Sequence, residues 1–463
     1  MTRASLSSIS IFMAGVMSVV NLLGFEQATT ILSGIFLAIF IVLEWPLLIW
    51  AARGLVLSSL ALFSILYLLD RAPPALLAAS VNRAAFLACF VVVLSFLRDA
   101  AQTSELVKTC GRIIVNQTPG RRYLTLALGG HLVGVLMSLG TVSLLSTMIY
   151  GSVEQDPNSK DKRIRAIRLK RMTLAMLRGF CAVPFWAPTS VAIAIVLSSS
   201  LDLRWIDLLP LAFPAVACHL ALGWLLDRLS YGRPKLAETS FPAEPWIRPF
   251  GGLLGIVIFV PVSAAVVANA LDLSLIGGLF LCLPVIGLGW VALQNLRLGP
   301  LGAGIMALRR AGTQTIPSLH ELRNELAIFA ASGFLAILLL PQIDVNWLSQ
   351  NITRLGLGEG AVLIGGSWVI ILLALATVNP LVTASLVIET LLRLPGLDFD
   401  PAIIAVTITV TWGIVGGTSP FSASVRLTAR SVNQSANDVG FKWNLWFALC
   451  AVALLNVFVL LFV

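Results

Sequence analysis

Apolar runs of about 20 residues, enough to cross a hydrocarbon core as a helix, follow one another along almost the whole chain. They lie near 9–24, 31–50, 55–69 and 76–97, then near 179–200, 206–226, 250–270, 275–294, 325–341, 401–425 and 444–463. The pattern predicts an all-α polytopic membrane protein with about 11 transmembrane helices. Composition agrees: the 463 residues are 58% hydrophobic and 11% charged, against about 25% charged in a soluble domain. No soluble domain fits into this layout. The first run, Ile9 to Leu23, is followed by Glu26 and then by more apolar sequence, without a small-residue cleavage site. It reads as a retained span and not as a signal peptide.

The net charge of +9 comes from Lys and Arg in the loops, where such residues set orientation in the membrane. Nucleic acid is therefore not an expected partner. Cys89, Cys110, Cys181, Cys218, Cys282 and Cys450 are scattered without a C-x-x-C pair, and read as small apolar packing residues. His131, His219 and His320 are equally dispersed, so no metal site is expected. No paired carboxylates or His-Asp grouping stands at a membrane face, so no catalytic residue is assigned and enzymatic activity is not expected.

Four polar breaks interrupt the apolar pattern, two in each half. The first half carries Gly140-Thr141-Val142-Ser143 and then Trp186-Ala187-Pro188-Thr189-Ser190. The second carries Thr377-Val378-Asn379-Pro380 and then Gly416-Gly417-Thr418-Ser419-Pro420-Phe421-Ser422. Backbone freed of its helical hydrogen bonds is expensive in lipid, so breaks at membrane depth line a cavity, and in transporters paired breaks mark the binding site.

Loop charge turns the first break of each pair into a tip. Arg98, Lys108, Arg112, Arg121 and Arg122 flank the apolar segment 122–150 on its N-terminal side. Lys160, Lys162, Arg163, Arg165, Arg168, Lys170, Arg171 and Arg178 follow it. Basic loops stay in the cytoplasm, so both ends lie on one side, and a re-entrant hairpin tipped at Gly140–Ser143 is expected in place of a single crossing. In the second half, segment 360–394 contains Asn379-Pro380. Proline removes a backbone donor and disfavours helix at the preceding residue, so Asn379 is expected to end one half-helix and Thr383 to begin the next. Asp344, Glu359, Asp398 and Asp400 flank that hairpin, as suits the outer side, whereas Arg426, Arg430 and Lys442 belong inside.

The resulting plan has a leading span (1–30), a first repeat (31–226), a cytoplasmic linker (227–249) and a second repeat (250–463) of opposite orientation. The linker carries Arg228, Arg233, Lys235, Pro242 and Pro245. Inverted repeats with two re-entrant hairpins put ligands near the midplane, where half-helix N-termini face anions and unwound carbonyls coordinate cations. The architecture resembles the ion transporter superfamily, which includes the divalent anion/sodium symporters and the large membrane subunit of TRAP transporters. Those symporters carry Ser-Asn-Thr at both tips. Here Thr377-Val378-Asn379-Pro380-Leu381-Val382-Thr383 keeps an Asn and a nearby Thr, while Gly140-Thr141-Val142-Ser143 has no Asn.

The resemblance implies that each tip pairs with the broken span of its own half to cradle one cation. Gly140, Thr141 and Ser143 would pair with Pro188, Thr189 and Ser190; Asn379, Pro380 and Thr383 would pair with Gly417, Thr418, Ser419 and Ser422. It also implies a secondary active transporter of the elevator type, often a homodimer, in a bacterial inner membrane. Intramembrane ionisable groups are limited to Glu44, Glu389, His131 and His219, none at a tip. Sodium is thus favoured over protons as coupling ion, and no cofactor is expected beyond it. Converging half-helix N-termini favour a small anionic substrate, an organic carboxylate or an inorganic oxyanion. The rival readings are a TRAP-like subunit dependent on a binding protein and, from other classes, a polytopic membrane enzyme or a channel. Ser152–Arg178 and Leu301–Leu326 interleave basic and apolar residues, and are expected in part as amphipathic helices on the lipid surface.

Overall fold

The computed structural model describes residues 2–24, 26–156, 161–231 and 246–463, and no strand occurs among them. The first half comprises α1 (Arg3–Leu22), α2 (Glu26–Glu44), α3 (Trp50–Leu68), α4 (Pro74–Thr103) and α5 (Glu105–Val115). It continues through α6 (Pro119–Met137), α7 (Leu139–Gln155), α8 (Lys162–Cys181), α9 (Val191–Leu197) and α10 (Trp205–Tyr231). The second half comprises α11 (Ile247–Ala270), α12 (Leu275–Gln294), α13 (Gly299–Arg310), α14 (Arg323–Leu339) and α15 (Val345–Arg354). It ends with α16 (Glu359–Leu375), α17 (Pro380–Leu391), α18 (Pro401–Thr418), α19 (Ala423–Ser431) and α20 (Trp443–Phe462).

Ten segments among the described residues are long and apolar enough to cross a membrane: α1 to α4, α10 to α12, the α13–α14 run, the α18–α19 run and α20. The protein is a polytopic all-α membrane protein. The eleventh span expected from sequence, near 179–200, is divided: α8 starts far upstream in basic sequence, and α9 is a separate seven-residue helix. Large apolar side chains such as Val42, Leu68 and Val285 stand more than two-thirds exposed on their helices, as faces turned to lipid do.

Two compact units divide the chain. The first gathers residues up to Ala100, Val260–Leu348 and Leu381–Arg393. Its core joins Ile11 and Ala14 of α1, Leu37 and Phe40 of α2, Ala84, Ala88 and Val91 of α4, and Leu326 and Ala330 of α14. In the same unit α12 meets α4 backbone to backbone, because a Cβ on Gly287 would lie 2.6 Å from the Phe96 carbonyl oxygen. Ion pairs tie the helix ends together: Asp99 with Arg310 through two 2.8 Å bonds, and Glu44 with Arg323 at 2.8 Å. The second unit gathers Ala101–Phe259, Ser349–Pro380 and Leu394–Val463. It contains α5 to α10, α16 and α18 to α20.

Several boundaries differ from the sequence expectation. The segment expected at 122–150 is longer, and its break falls at Ser138 (φ 50°), before Gly140–Ser143. Gly140, Thr141 and Ser143 are helical in the first turns of α7, since one residue in the left-handed region suffices to stop one helix and start another. In the second half α16 stops at Leu375 and α17 starts at Pro380, not at Thr383. Proline suits the first helical position, where the N–H it lacks would have no helical acceptor. The amphipathic helix expected within 152–178 is not a surface element throughout, because Leu169 and Met172–Gly179 are buried along α8. Leu301–Leu326 divides into α13, a π-helical turn, a 3-10 turn and the start of α14. Asp227 to Tyr231, taken as linker, lie in α10, and α11 already begins at Ile247; residues 232–245, with Arg233, Lys235, Pro242 and Pro245, fall outside the described residues.

Candidate functional site at the helix breaks

The first broken span is built against α6. A Cβ on Gly179 would lie 1.9 Å from the Ala127 carbonyl oxygen, and one on Gly130 would lie 2.5 Å from the Met176 carbonyl oxygen. Only glycine allows α6 and α8 to cross this closely. His131 sits on that seam. The indole N–H of Trp186 can only donate, and reaches His131 Nε2 at 3.0 Å, so the ring proton is on Nδ1, which faces the Gly179 carbonyl at 3.3 Å. After α8 the chain makes a 3-10 turn, Val183–Phe185, and passes through Trp186, whose carbonyl accepts from Trp205 Nε1 at 2.7 Å. Thr189 then donates its hydroxyl to the Val135 carbonyl at 2.6 Å, and Ser190 caps α9 by accepting from the Ile193 N–H.

The second broken span repeats this grammar. α18 ends at Thr418, and Ser419 donates its hydroxyl to the Ala374 carbonyl of α16 at 3.0 Å. Ser422 caps α19 by accepting from the Val425 N–H, while its own hydroxyl donates to the Gly416 carbonyl at 2.8 Å. Ser424 donates to the same carbonyl, and Asn444 Nδ2 donates to the Gly417 carbonyl at 2.9 Å. In each half, then, a hydroxyl from the broken span grips a carbonyl in the last turn of an apolar helix. Val135 precedes Ser138 (φ 50°) and Ala374 precedes Thr377 (φ 76°) by the same three positions in sequence.

The two broken spans cross each other inside the second unit. A Cβ on Gly413 would lie 2.2 Å from the Cys181 carbonyl oxygen, and one on Gly417 would lie 3.1 Å from Cys181 Sγ. α18 also packs on the 3-10 turn and on α9, and α7 packs on α8 and α19. Arg178, one turn before the end of α8, is buried; it donates to Asn444 Oδ1 at 2.8 Å and to Tyr123 Oη at 3.1 Å.

The sequence-derived residues separate by role. Thr189, Ser190, Ser419 and Ser422 hold the breaks together as described, and Thr418 bonds back to the Ile414 carbonyl at 2.8 Å within its helix. Pro188 is buried between Ala187 and Thr189, and Gly417 stands at the crossing. Thr141 is buried with no hydrogen-bond partner for its hydroxyl among the described residues, a state costing about 1–3 kcal/mol. Gly140 packs near Met137 and Gln102, and Ser143 is exposed. No hydrogen bond among the described residues joins Gly140, Thr141 or Ser143 to Pro188, Thr189 or Ser190. Asn379 and Pro380 lie half-buried at the α16–α17 junction, and Thr383 is buried in α17, which groups with the first unit.

Sequence reasoning missed Ser138, Tyr123, Arg178 and Asn444. It counted Arg178 among the basic residues of a loop, although Leu174-Ala175-Met176-Leu177 before it and Gly179-Phe180-Cys181 after it were the available signal of an arginine inside an apolar helix. The intramembrane ionisable groups are engaged as well. Glu44 pairs with Arg323, the charges of Glu389 and Arg83 interact, and His219 is stacked edge-on between Phe185 and Phe447.

Fold and breaks together define a polytopic all-α membrane protein in which two broken spans cross within one unit. No protein-family model matches the chain, and no curated protein matches it. Among solved structures it is similar to the crystal structure of the YdaH transporter of Alcanivorax borkumensis, at 12% sequence identity and a TM-score of 0.45, over 89% of this chain and 96% of that one.

Proposed function

We propose that the protein is a secondary active transporter that moves a small organic or inorganic anion, with sodium rather than protons as the coupling ion. The observation that carries the reading is the repeated pair of breaks. Thr189 and Ser419 each tie a broken span to an apolar helix just before a left-handed residue, and the two broken spans cross beside Cys181. A fold that needs only to span lipid has no use for two interrupted helices in contact, since every interrupted turn frees backbone groups that lipid cannot satisfy. A transporter uses those groups to bind.

Within this reading the ligand positions are those named from sequence that lie in the second unit, with Thr141 the strongest candidate in the first half because its buried hydroxyl has no partner among the described residues. Sodium coupling fits the engagement of Glu44, Glu389 and His131 in contacts of their own. The two repeats are inverted and the movement is of the elevator type, as the resemblance to the ion transporter superfamily implies; a homodimer in the inner membrane belongs to the same analogy.

The test is a thermal-stabilisation screen of the purified protein against small carboxylates and oxyanions, with and without sodium, followed by uptake of any stabilising anion into proteoliposomes. Asn379→Ala and Ser419→Ala should abolish uptake while leaving expression intact. Normal uptake by both variants would remove the assignment of these breaks as the binding position.

A further inference from the structure

Arg178 is 6% exposed in the interior of a membrane-spanning unit, and no carboxylate among the described residues pairs with it. Its partners are neutral: Asn444 Oδ1 at 2.8 Å, Tyr123 Oη at 3.1 Å, the Gly223 carbonyl at 3.4 Å and the face of Phe447 at 4.4 Å. A buried charge compensated only by dipoles is a poor way to stabilise a fold, because its desolvation costs several kcal/mol that an apolar residue would not incur. Its contacts indicate what it does instead.

A guanidinium has donors and no acceptor, so the Asn444 amide must turn its oxygen toward Arg178. The amide nitrogen is then directed to the Gly417 carbonyl, which it reaches at 2.9 Å. That carbonyl lies in the last turn of α18, immediately before the break that Ser419 and Ser422 hold open. Asn444 without Arg178 could rotate its amide and present oxygen to oxygen. Glycine at 223 completes the arrangement, since a Cβ there would lie 2.5 Å from Tyr123 Oη.

We propose that Arg178 is a positioning residue for the second break, acting through the oriented amide of Asn444 to fix the Gly417 carbonyl at the end of α18. The inference rests on reading that break as a binding position, but its test does not use transport. Asn444→Asp keeps an acceptor for Arg178 and pairs the buried charge, which offsets the loss of the donor to Gly417 and lets the variant fold. Hydrogen exchange of the purified protein should nevertheless be about tenfold faster in peptides covering Ser419–Val425, and unchanged in those covering Trp186–Ser190. Arg178→Lys, with one rotating ammonium in place of the planar fork, should accelerate the same peptides. It decides the matter should Asn444→Asp not accumulate as folded protein. Unchanged exchange at Ser419–Val425, or equal acceleration at both breaks, overturns the proposal. Loss of anion transport in the wild type would remove the proposed function and leave the exchange result standing.

Discussion

Ser419 donates its hydroxyl to the carbonyl of Ala374 at 3.0 Å, and the arrangement recurs between Thr189 and Val135 at 2.6 Å. Both bonds are buried and both close a helix end whose carbonyl has lost its helical donor. Ser419→Ala leaves the Ala374 carbonyl unmet and should cost about 1–2 kcal/mol of stability, whereas Ser419→Thr keeps the hydroxyl and should cost less. Thr189→Val, which preserves shape, should show the same loss in the first half. Denaturation of the purified variants in detergent measures all three, and a Thr189→Val protein as stable as wild type would show that the first link contributes nothing.

Thr141 presents the opposite case. Its hydroxyl is buried in the first turn of α7 without a partner among the described residues. Thr141→Val removes an unmet polar group at constant shape, so stability should hold or rise by about 1 kcal/mol. Anion uptake, in contrast, should fall at least several-fold if the hydroxyl is kept for a ligand. Undiminished uptake in a stabilised variant would reduce Thr141 to a tolerated packing defect.

The α6–α8 seam makes a sharper structural prediction. An added methyl at Gly179 would stand 1.9 Å from the backbone oxygen of Ala127, and that oxygen cannot rotate away as a side chain would. Gly179→Ala must push the helices apart, breaking the His131–Trp186 bond with them, and should cost about 3 kcal/mol or more. Gly151→Ala, where nothing lies within 4 Å, is the control. Folded yield and melting temperature should drop in the first variant and not in the second.

The division of the chain into spans was legible because lipid imposes one length and one polarity on every crossing; the boundaries of α12 and α20 follow from apolar runs alone, whereas α1 and α3 begin, and α10 ends, outside the apolar runs. The breaks were legible in position to within a few residues, from proline and from clustered hydroxyls. Which residue breaks was not. At Ser138 the chain turns on one left-handed residue that carries no composition signal, so Gly140 and Ser143 drew the assignment instead. Arg178 was misread for a related reason: charge counting treats every arginine as a loop residue, and the dipoles that make this one tolerable come from Tyr123 and Asn444, each distant from it in sequence. Pairings of that kind are tertiary facts, and local pattern does not carry them.

Glu44 tests proton coupling. Its carboxylate is 1% exposed and lies 2.8 Å from Arg323 and 3.9 Å from Arg3. A carboxylate clasped between two arginines is committed to holding the fold together. Glu44→Gln should therefore destabilise by about 1–3 kcal/mol, less than the loss of a fully buried pair because both arginines remain partly exposed. The pH profile of transport should stay as in the wild type. A profile flattened by this single change would make Glu44 a proton carrier and shift the coupling from sodium to protons.

Two positions in the second unit report how the chain is oriented in the membrane. Gln155 closes α7 next to the basic stretch beginning at Lys160, and Asp398 precedes α18 among acidic residues, its backbone N–H donating to Glu359 at 2.9 Å. Lysine and arginine near span ends are retained on the cytoplasmic side, so the first position should face inward and the second outward. Both are exposed, which makes cysteines there accessible to a membrane-impermeant thiol reagent. Of the native thiols Cys218 is exposed and Cys450 partly so, and both are replaced by serine beforehand. In intact cells Asp398→Cys should label and Gln155→Cys should not; in inverted vesicles the result should reverse. Labelling of both from one face would mean that the two paired segments enter from the same side, and would remove the inverted repeat on which the anion-transport reading depends.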